Sequence, residues 1–464
     1  MTVLADSGNG ATLASAMATF VHRLQNETPP DHIIERARVC LLNGYGIALG
    51  CLGTPYASVA ARAALASDGE AAGGATLLAD GRHSTVGAAA LANAALFHGR
   101  AQEDTCGAAH LGAILIPLLT ALVETREGVP AARLLPALIA GYETGGLLEK
   151  AYSGITTPVG LRSSPLYGTV AAAAATASLL GLSVGQTAAA LSNAASFTGG
   201  ILQSFDDGTD EWRYQVGVAA RTGWLATELA RAGSVSAPHA FEGRNGFVRA
   251  YARADCDAAA LAEHLGEQWS IERVTFKPFP VCAFNQTPVH AALALRERLG
   301  SRRITAVRVR MHPYEAGYAG MDSKGPFSSV SGTLMSIPFC IALTLLKGAP
   351  AMAHMTTYDD LAVNALVQRV RLDADDSVPR LCCAIELELE DGQTLSQDQR
   401  MTTADYAYDR EGVRALVRRV GAESGIRAHV YERLEHAVDD PQRHFQDVIG
   451  CFAEARQMQG QASA

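Results

Sequence analysis

A chain of 464 residues, 48% hydrophobic and 18% charged, is long enough for two compact domains and too apolar to be disordered. Its net charge of −9 argues against a nucleic-acid-binding surface, so an anionic substrate would need a local cationic pocket. Its nine cysteines include no C-x-x-C pair, which excludes a zinc ribbon, and no segment is typical of a secretory signal or a membrane span.

The amino-terminal half of the chain is dominated by helical periodicity. Segments rich in alanine and leucine, separated by glycine, follow one another from about residue 11 to residue 265. The predicted helices are Ile33–Leu49, Thr85–His98, Leu111–Thr125, Arg133–Ala151, Gly168–Leu180, Val184–Phe197, Gln215–Arg231 and Ala258–Leu265. Their small residues favour close helix packing, so we expect one all-helical domain with the apolar stripes in its core.

The pattern changes near Trp269. Ile304–Met311 and Cys383–Leu389 alternate apolar with charged residues, as strands with one solvent-exposed face do. Further helices are predicted at Val330–Leu346, Tyr358–Val370, Arg410–Val420 and Ala428–Val438, with a break at Pro441. We therefore predict a mostly α fold, in which a large all-helical domain of residues 1–270 and 400–464 holds an inserted smaller α+β domain of residues 271–399.

Motifs for nucleotide binding, serine hydrolysis and zinc proteolysis do not occur in the sequence, but two short segments concentrate reactive residues. The first runs from His98 to His110 and holds two imidazoles and two carboxylates, Glu103 and Asp104. Histidine changes charge near neutral pH, so this loop could supply an acid/base pair. Helix capping by Asp104 or Thr105 explains these residues as well, and a metal site of His98, Glu103, Asp104 and His110 is a further alternative.

The second segment, FKPFPVC, runs from Phe276 to Cys282 and holds Lys277 between aromatic residues and prolines. Proline fixes φ and stiffens the backbone. A lysine in such rigid, apolar surroundings can bind a carboxylate. The simpler alternative is a lysine whose aliphatic part packs at a domain boundary.

Five blocks of the chain, in order, resemble motifs of the MmgE/PrpD family, which includes 2-methylcitrate dehydratase and cis-aconitate decarboxylase. They are NAALFH followed by EDT and His110, AGYE at 140–143, LGL with Gln186 and AL at 180–191, FEG with GF at 241–247, and KPFPVC at 277–282. The resemblance covers nearly the whole chain. It implies a helical domain interrupted by an α+β lid, a homodimer, and an active site between the two domains without metal or organic cofactor.

Carried over position by position, the resemblance also implies the residues of the pocket. The implied catalytic residues are His110, Lys277, Tyr318 and Asp104. The implied substrate contacts in the matched blocks are Thr105, His98 and Cys282. We expect a small anionic carboxylate as the substrate.

Four positions depart from the family pattern. Ala101 stands where the family has an aspartate, Arg162 and Gln215 stand where it has histidines, and Trp212 stands where it has a lysine. Dehydratase and decarboxylase members rely on several of those groups, so the pocket is expected to be remodelled. Trp212 indicates a substrate with an apolar portion or fewer carboxylates, and core packing is its alternative role.

Cations must replace the groups that the family uses. Dehydration, decarboxylation and epimerisation all build negative charge beside an existing carboxylate. Arg162, Arg213 and Lys277 could stabilise it, because guanidinium binds a carboxylate through two hydrogen bonds. The alternatives are a salt bridge from Arg213 to Glu211 or Asp210 and a helix-start contact for Arg162.

We expect a lyase of dehydratase type that acts on a small hydroxy-carboxylate, with His110 as the acid/base group and Tyr318 or Asp104 as its partner. The alternatives are an epimerase or isomerase, a decarboxylase of a di- or tricarboxylate, and a non-catalytic carboxylate-binding paralogue. The protein is expected to be cytoplasmic, free of cofactors and homodimeric, with neither nucleic acid nor membrane as a partner.

Overall fold

The computed structural model describes residues 11–125 and 129–462, and it is 61% helical. The α-helices are α1 Leu13–Asn26, α2 Asp31–Leu49, α3 Pro55–Asp68, α4 Val86–Phe97, α5 Gly112–Thr125, α6 Leu134–Thr156, α7 Ser163–Leu180, α8 Val184–Phe197, α9 Gln203–Asp207, α10 Glu211–Arg231, α11 Ala258–Ala262, α12 Gln286–Leu299, α13 Pro313–Ala316, α14 Val330–Met335, α15 Ile337–Lys347, α16 Met352–Met355, α17 Leu361–Val367, α18 Thr403–Tyr406, α19 Arg410–Glu423, α20 Ala428–Asp439 and α21 Pro441–Ala462. The strands are β1 Ala75–Thr76, β2 His83–Ser84, β3 Thr105–Cys106, β4 Val274–Thr275, β5 Ile304–Met311, β6 Val370–Ala374, β7 Cys382–Leu389 and β8 Thr394–Arg400. The mostly α fold predicted from the sequence is confirmed.

The helices of the first core pack closely because small residues lie where they cross. A Cβ at Gly145 of α6 would lie 2.7 Å from the Cβ of Ala171 in α7, and one at Gly223 of α10 would lie 2.5 Å from the Cβ of Ala172. Both distances are shorter than a van der Waals contact, so glycine is required at both crossings. None of the helices in the described part of the chain is long and apolar enough to cross a bilayer.

The carboxyl-terminal helices return to this helical core. Val413 and Val417 of α19 belong to the same apolar cluster as α2, and so does Phe452 of α21. The Phe452 ring also stacks on Phe97 of α4, with ring centroids 6.4 Å apart. The tail of the chain is therefore part of the helical core.

A second apolar core forms around a four-stranded sheet of order β6-β5-β7-β8. Strand β5 runs parallel to β6 and antiparallel to β7, so Val307 lies between Val370 and Leu387. Helices α12 and α15 cover the buried face of the sheet, and Phe205 and Trp212 from the helical part join the same cluster. That these two cores behave as separate domains, with the boundaries expected above, stays a prediction.

Three predicted helices differ from the structure: one is divided into two helices, and two are shorter than predicted. The segment Val330–Leu346 is divided into α14 and α15 because the Ser336 side chain caps the start of α15. The predicted helix Tyr358–Val370 is reduced to α17, since Val370 begins strand β6. Ala258–Leu265 ends at residue 262 as α11.

Candidate active site

A short antiparallel ribbon joins the loop between α4 and α5 to the segment that precedes the sheet. Thr105 pairs with Thr275, and Cys106 pairs with Val274. Lys277 follows this ribbon by two residues, so the pairing of β3 with β4 brings it beside the loop. The ribbon thus joins the two segments of reactive residues found in the sequence, 98–110 and 276–282.

Glu103 is the centre of a buried polar cluster. Its Oε1 lies 2.7 Å from Lys277 Nζ and 3.1 Å from His110 Nδ1, and its Oε2 lies 3.1 Å from His98 Nδ1. The Glu103 side chain is only 2% exposed, so these contacts take the place of water around a charged group. We call these four residues, together with Arg162, the Glu103 cluster.

Burial and charge together set the protonation of the Glu103 cluster. Burial raises the pKa of Glu103, but attraction to His98, Lys277 and His110 outweighs it and holds that pKa well below its usual value. Burial lowers the pKa of His98 to about 4 and the pKa of His110 well below its usual value. Both imidazoles are therefore neutral at pH 7. The cations of the cluster are Lys277 and Arg162, and the negative charge of Glu103 balances one of them. The cluster therefore keeps an excess positive charge, which suits an anionic substrate.

The two imidazoles differ in whether the Nε2 lone pair is already hydrogen-bonded. His98 is fully buried and its Nε2 accepts a hydrogen bond of 2.7 Å from Arg162, which puts the His98 proton on Nδ1. His110 Nδ1 lies 3.1 Å from two acceptors, the Asp104 carbonyl and the Glu103 carboxylate, so its proton is also on Nδ1. His110 Nε2 then presents a lone pair, and 18% of that side chain is exposed. Of the two histidines, His110 is the one that a substrate can reach.

Arg162 lies at the N-cap position of α7, but its side chain makes no capping hydrogen bond and contacts the Glu103 cluster instead. Its Nη1 donates to the Trp212 carbonyl and, at 3.0 Å, to Gln215 Oε1, while Nη2 donates to His98. Burial lowers the pKa of Arg162 to about 10, so the guanidinium remains charged at neutral pH. The helix-start contact considered for Arg162 is therefore not made, because its side chain bonds to Trp212, Gln215 and His98 instead.

Trp212 and Arg213 are buried where the two apolar cores meet. The Trp212 ring lies edge-on to His98, with centroids 4.6 Å apart, and its N–H donates to Ser331 at 2.9 Å. Arg213 stacks over Trp212 at 4.0 Å and pairs with Asp210 at 2.8 Å. Core packing for Trp212 and the salt bridge to Asp210 are therefore both present. Direct substrate contact by either residue stays a prediction.

Tyr318 and Cys282 pack against the second apolar core, in the sheet-containing part of the chain. The Tyr318 ring packs between Phe205 and Phe284, with centroid distances of 6.0 and 5.1 Å. Burial raises the pKa of Tyr318 and of the Cys282 thiol, so both groups stay protonated at neutral pH. The charge of Arg162 acts on Tyr318 in the opposite sense, since the two groups are close. Tyr318 is thus available as a proton donor.

The Asp104 carboxylate is hydrogen-bonded to a residue outside the Glu103 cluster. Its carboxylate accepts a hydrogen bond from the Tyr142 hydroxyl, and a Cβ at Gly112 would lie 2.2 Å from its other oxygen. The catalytic role expected for this carboxylate stays a prediction. The contact that Asp104 makes with His110 is through its backbone carbonyl. The Thr105 hydroxyl is engaged by its ribbon partner, the hydroxyl of Thr275, at 2.8 Å.

Sequence reasoning named Glu103 as one of the two carboxylates of the reactive loop and as a possible metal ligand, but missed it as the organising residue. The signal was present in the matched block, where EDT stands against the family's D-D-T and keeps an acid at position 103. The metal alternative is not supported, since Lys277 occupies one Glu103 oxygen and Asp104 points elsewhere. In the ranges 11–125 and 129–462, no group of three or more His, Cys, Asp or Glu is arranged to hold a metal ion.

Gln102, which sequence reasoning also missed, ties the loop to the backbone next to Lys277. It is buried, its Nε2 donates to the Pro278 carbonyl at 2.9 Å, and its Oε1 accepts from Arg100 Nε at 3.2 Å. Arg100 in turn pairs with Glu423 at 2.6 Å. Gln102 is therefore a positioning residue for the lysine, acting through the backbone.

Replacing Gln102 with leucine is expected to lower kcat/KM about tenfold, because displacement of a catalytic group on the ångström scale is costly. Steady-state kinetics at pH 7 would measure the loss, and urea unfolding would measure any change in stability separately. The same substitution at exposed Gln457 is the matched control. Wild-type kinetics in a folded Gln102→Leu variant would contradict the positioning role.

Replacing Lys277 with methionine is expected to move the acid limb of the pH–rate profile to higher pH. Burial and then the charge of Lys277 lower the pKa of His110, whereas Glu103 raises it. Without the lysine, the unpaired Glu103 raises the pKa of His110 toward its usual value, so the neutral, basic form is lost at a higher pH. The residual kcat/KM between pH 5 and 8 would measure the shift. Lys347→Met, which removes a surface ion pair with Asp360, should leave the limb in place.

Comparison with known proteins identifies the family. The model of the MmgE/PrpD N-terminal domain matches residues 15–258, and that of the MmgE/PrpD C-terminal domain matches residues 279–419. A cis-aconitate decarboxylase-like protein of Aspergillus oryzae, oryM, is 26% identical over an alignment that covers 93% of this chain and 95% of that protein.

Two proteins named cis-aconitate decarboxylase are similar to the chain over a shorter length. The Aspergillus terreus protein is 25% identical, covering 77% of this chain and 76% of its own length. The Mus musculus protein is 27% identical, covering 67% of this chain and 66% of its own length. Because the two domain models match most of the sequence in order, the chain is a member of the MmgE/PrpD family.

Proposed function

We propose that this protein is a lyase that acts on a small carboxylate by acid/base chemistry at the Glu103 cluster. The observation that carries the proposal is the meeting of His110, whose Nε2 is free, with two buried cations, Arg162 and Lys277. Side chains supply every acid, base and cation that the proposal needs, so no metal or organic cofactor is invoked. The names of the relatives, cis-aconitate decarboxylases, support a carboxylate substrate.

The proposed reaction is dehydration of a hydroxy-carboxylate. Arg162 and Lys277 hold the carboxylate and stabilise the negative charge that develops beside it. His110 Nε2 takes the proton from the carbon next to the carboxylate, and a carbon–carbon double bond forms as the hydroxyl leaves. Tyr318, which burial keeps protonated, gives the hydroxyl its proton so that water departs. The proton on His110 then returns to the Tyr318 oxygen, which restores both groups.

Decarboxylation of an unsaturated polycarboxylate is the second candidate, and the names of the relatives favour it. Loss of carbon dioxide leaves a carbanion that needs a proton donor. His110 is neutral at pH 7 and its one N–H faces Asp104 and Glu103, so Tyr318 would have to be the donor. The free lone pair of His110 suits the first step of dehydration better.

Proton NMR in deuterated buffer, with a panel of hydroxy di- and tricarboxylates and cis-aconitate, tests the proposal. An alkene product formed with loss of the hydroxyl is the expected result, while release of carbon dioxide would support the second candidate. If the proton on the carbon next to the carboxylate exchanges with deuterium and no alkene forms, the lyase proposal is overturned and an epimerase is supported. Stabilisation by carboxylates with no turnover of any would overturn enzymatic function.

We further propose a homodimer, as the family resemblance implies. Helix α10 exposes Val218, Leu225 and Leu229 by 54%, 47% and 38%, and their spacing of seven and four residues puts them on one face. Light scattering of the wild-type protein should give the mass of a dimer, and Leu225→Glu should give that of a monomer. A dimer that Leu225→Glu leaves intact would exclude this face as the interface.

A further inference from the structure

A cavity of about 1190 Å³ adjoins the Glu103 cluster. Thr105 and Lys277 line one side of it, and Phe284, whose ring lies 5.1 Å from that of Tyr318, lines another. The cavity therefore borders both the loop and the sheet-containing part of the candidate site. Pockets for drug-sized ligands have volumes of about 300–1,000 Å³, so this space far exceeds what a small carboxylate occupies.

The wall of the cavity is mainly apolar. Its large apolar side chains include four that belong to or pack against the first core, together with Leu381 and Tyr406. The four are Leu147, Leu261, Leu265 and Phe276. Buried charged groups on the wall already have partners. Arg273 contacts Glu149 at 3.2 Å, and the Glu143 carboxylate accepts from the N–H groups of Ser270 and Ile271 at 2.7 and 3.0 Å. The cavity therefore offers hydrophobic surface rather than a second site for a carboxylate.

We propose that this cavity binds an unbranched alkyl chain, so that the substrate is a carboxylate with a hydrocarbon substituent. The inference rests on the proposed function, and Lys277, which lines the cavity, would hold the carboxylate at its edge. Each methylene buried in the cavity then tightens binding about threefold to fourfold.

Calorimetric titration of the full-length protein with n-alkanoates from acetate to decanoate tests the inference. The affinity is expected to rise about threefold or more per methylene and to level off once the cavity is filled. Leu261→Asp places a carboxylate on the wall and should flatten this increase, and Leu265→Asn is the second variant should the first not fold. Leu361→Asp, at a leucine that is 85% exposed, is the matched control and should keep the wild-type dependence on chain length.

Arg162→Met separates this inference from the proposed function. This substitution should weaken the binding of every alkanoate by a similar factor and leave the dependence of affinity on chain length unchanged. Absence of binding by all alkanoates, together with absence of turnover, would contradict the proposed function itself.

Two other results would overturn the cavity assignment alone. One is binding of short acids with no gain for longer chains, which is also expected if a second copy of the protein fills the cavity. The other is an increase of affinity with chain length that Leu261→Asp does not reduce. An equal increase for alkyltrimethylammonium ions of the same chain lengths would count in the same way.

Discussion

Replacing Glu103 with glutamine is expected to lower kcat/KM by about 10³-fold and the free energy of unfolding by about 3–5 kcal/mol. The substitution leaves the buried ammonium of Lys277 without its carboxylate, which lies 2.7 Å away in the wild type. It also removes the anion that contacts His98 and His110 and orients their rings. Steady-state kinetics and urea unfolding at pH 7 would measure the two effects.

Asp104→Asn is the matched control for this change. It converts the neighbouring buried carboxylate into an amide, but that group contacts Tyr142 rather than the Glu103 cluster. We expect a stability loss of about 1–2 kcal/mol and a much smaller loss of kcat/KM, since an amide oxygen can still accept the tyrosine hydrogen bond. Equal loss of kcat/KM in the two variants would contradict the central role of Glu103.

Replacing His110 with alanine is expected to lower kcat at least about a hundredfold, as loss of a general base does. Affinity for carboxylate ligands should change little, because Arg162 and Lys277 remain in place. Single-turnover kinetics would measure the chemical step, and calorimetry with a non-reacting carboxylate would measure binding. A wild-type kcat in the His110→Ala variant would contradict the assignment of His110 as the general base. His444→Ala, at a histidine whose side chain is 46% exposed, is the control.

The helical core could be predicted from the sequence because helix periodicity is a local property. Predicted helices such as Ile33–Leu49 and Val184–Phe197 correspond closely to α2 and α8. Errors occurred where contacts from distant residues overrode the local pattern. Val370 was expected to end a helix, yet it begins a strand because it pairs with Val307.

The candidate site was predicted only in part. Residue type and family resemblance drew attention to His110, Lys277 and Arg162, and the structure brings all three together around Glu103. Resemblance also drew attention to Asp104, whose carboxylate turns toward Tyr142 instead. Adjacent acids look equivalent in a sequence, because nothing local says which of them faces a cation from another segment.

By itself, the sequence determined the helical core and the two reactive segments, since residue type and periodicity are encoded over short stretches of chain. Tertiary structure decided which acid is central and which imidazole nitrogen is free. These properties depend on the pairing of β3 with β4, across 170 residues between Thr105 and Thr275. The buried Glu103 carboxylate keeps its charge because His98, Lys277 and His110 lie beside it, and chain order alone does not reveal that Lys277 is one of these neighbours.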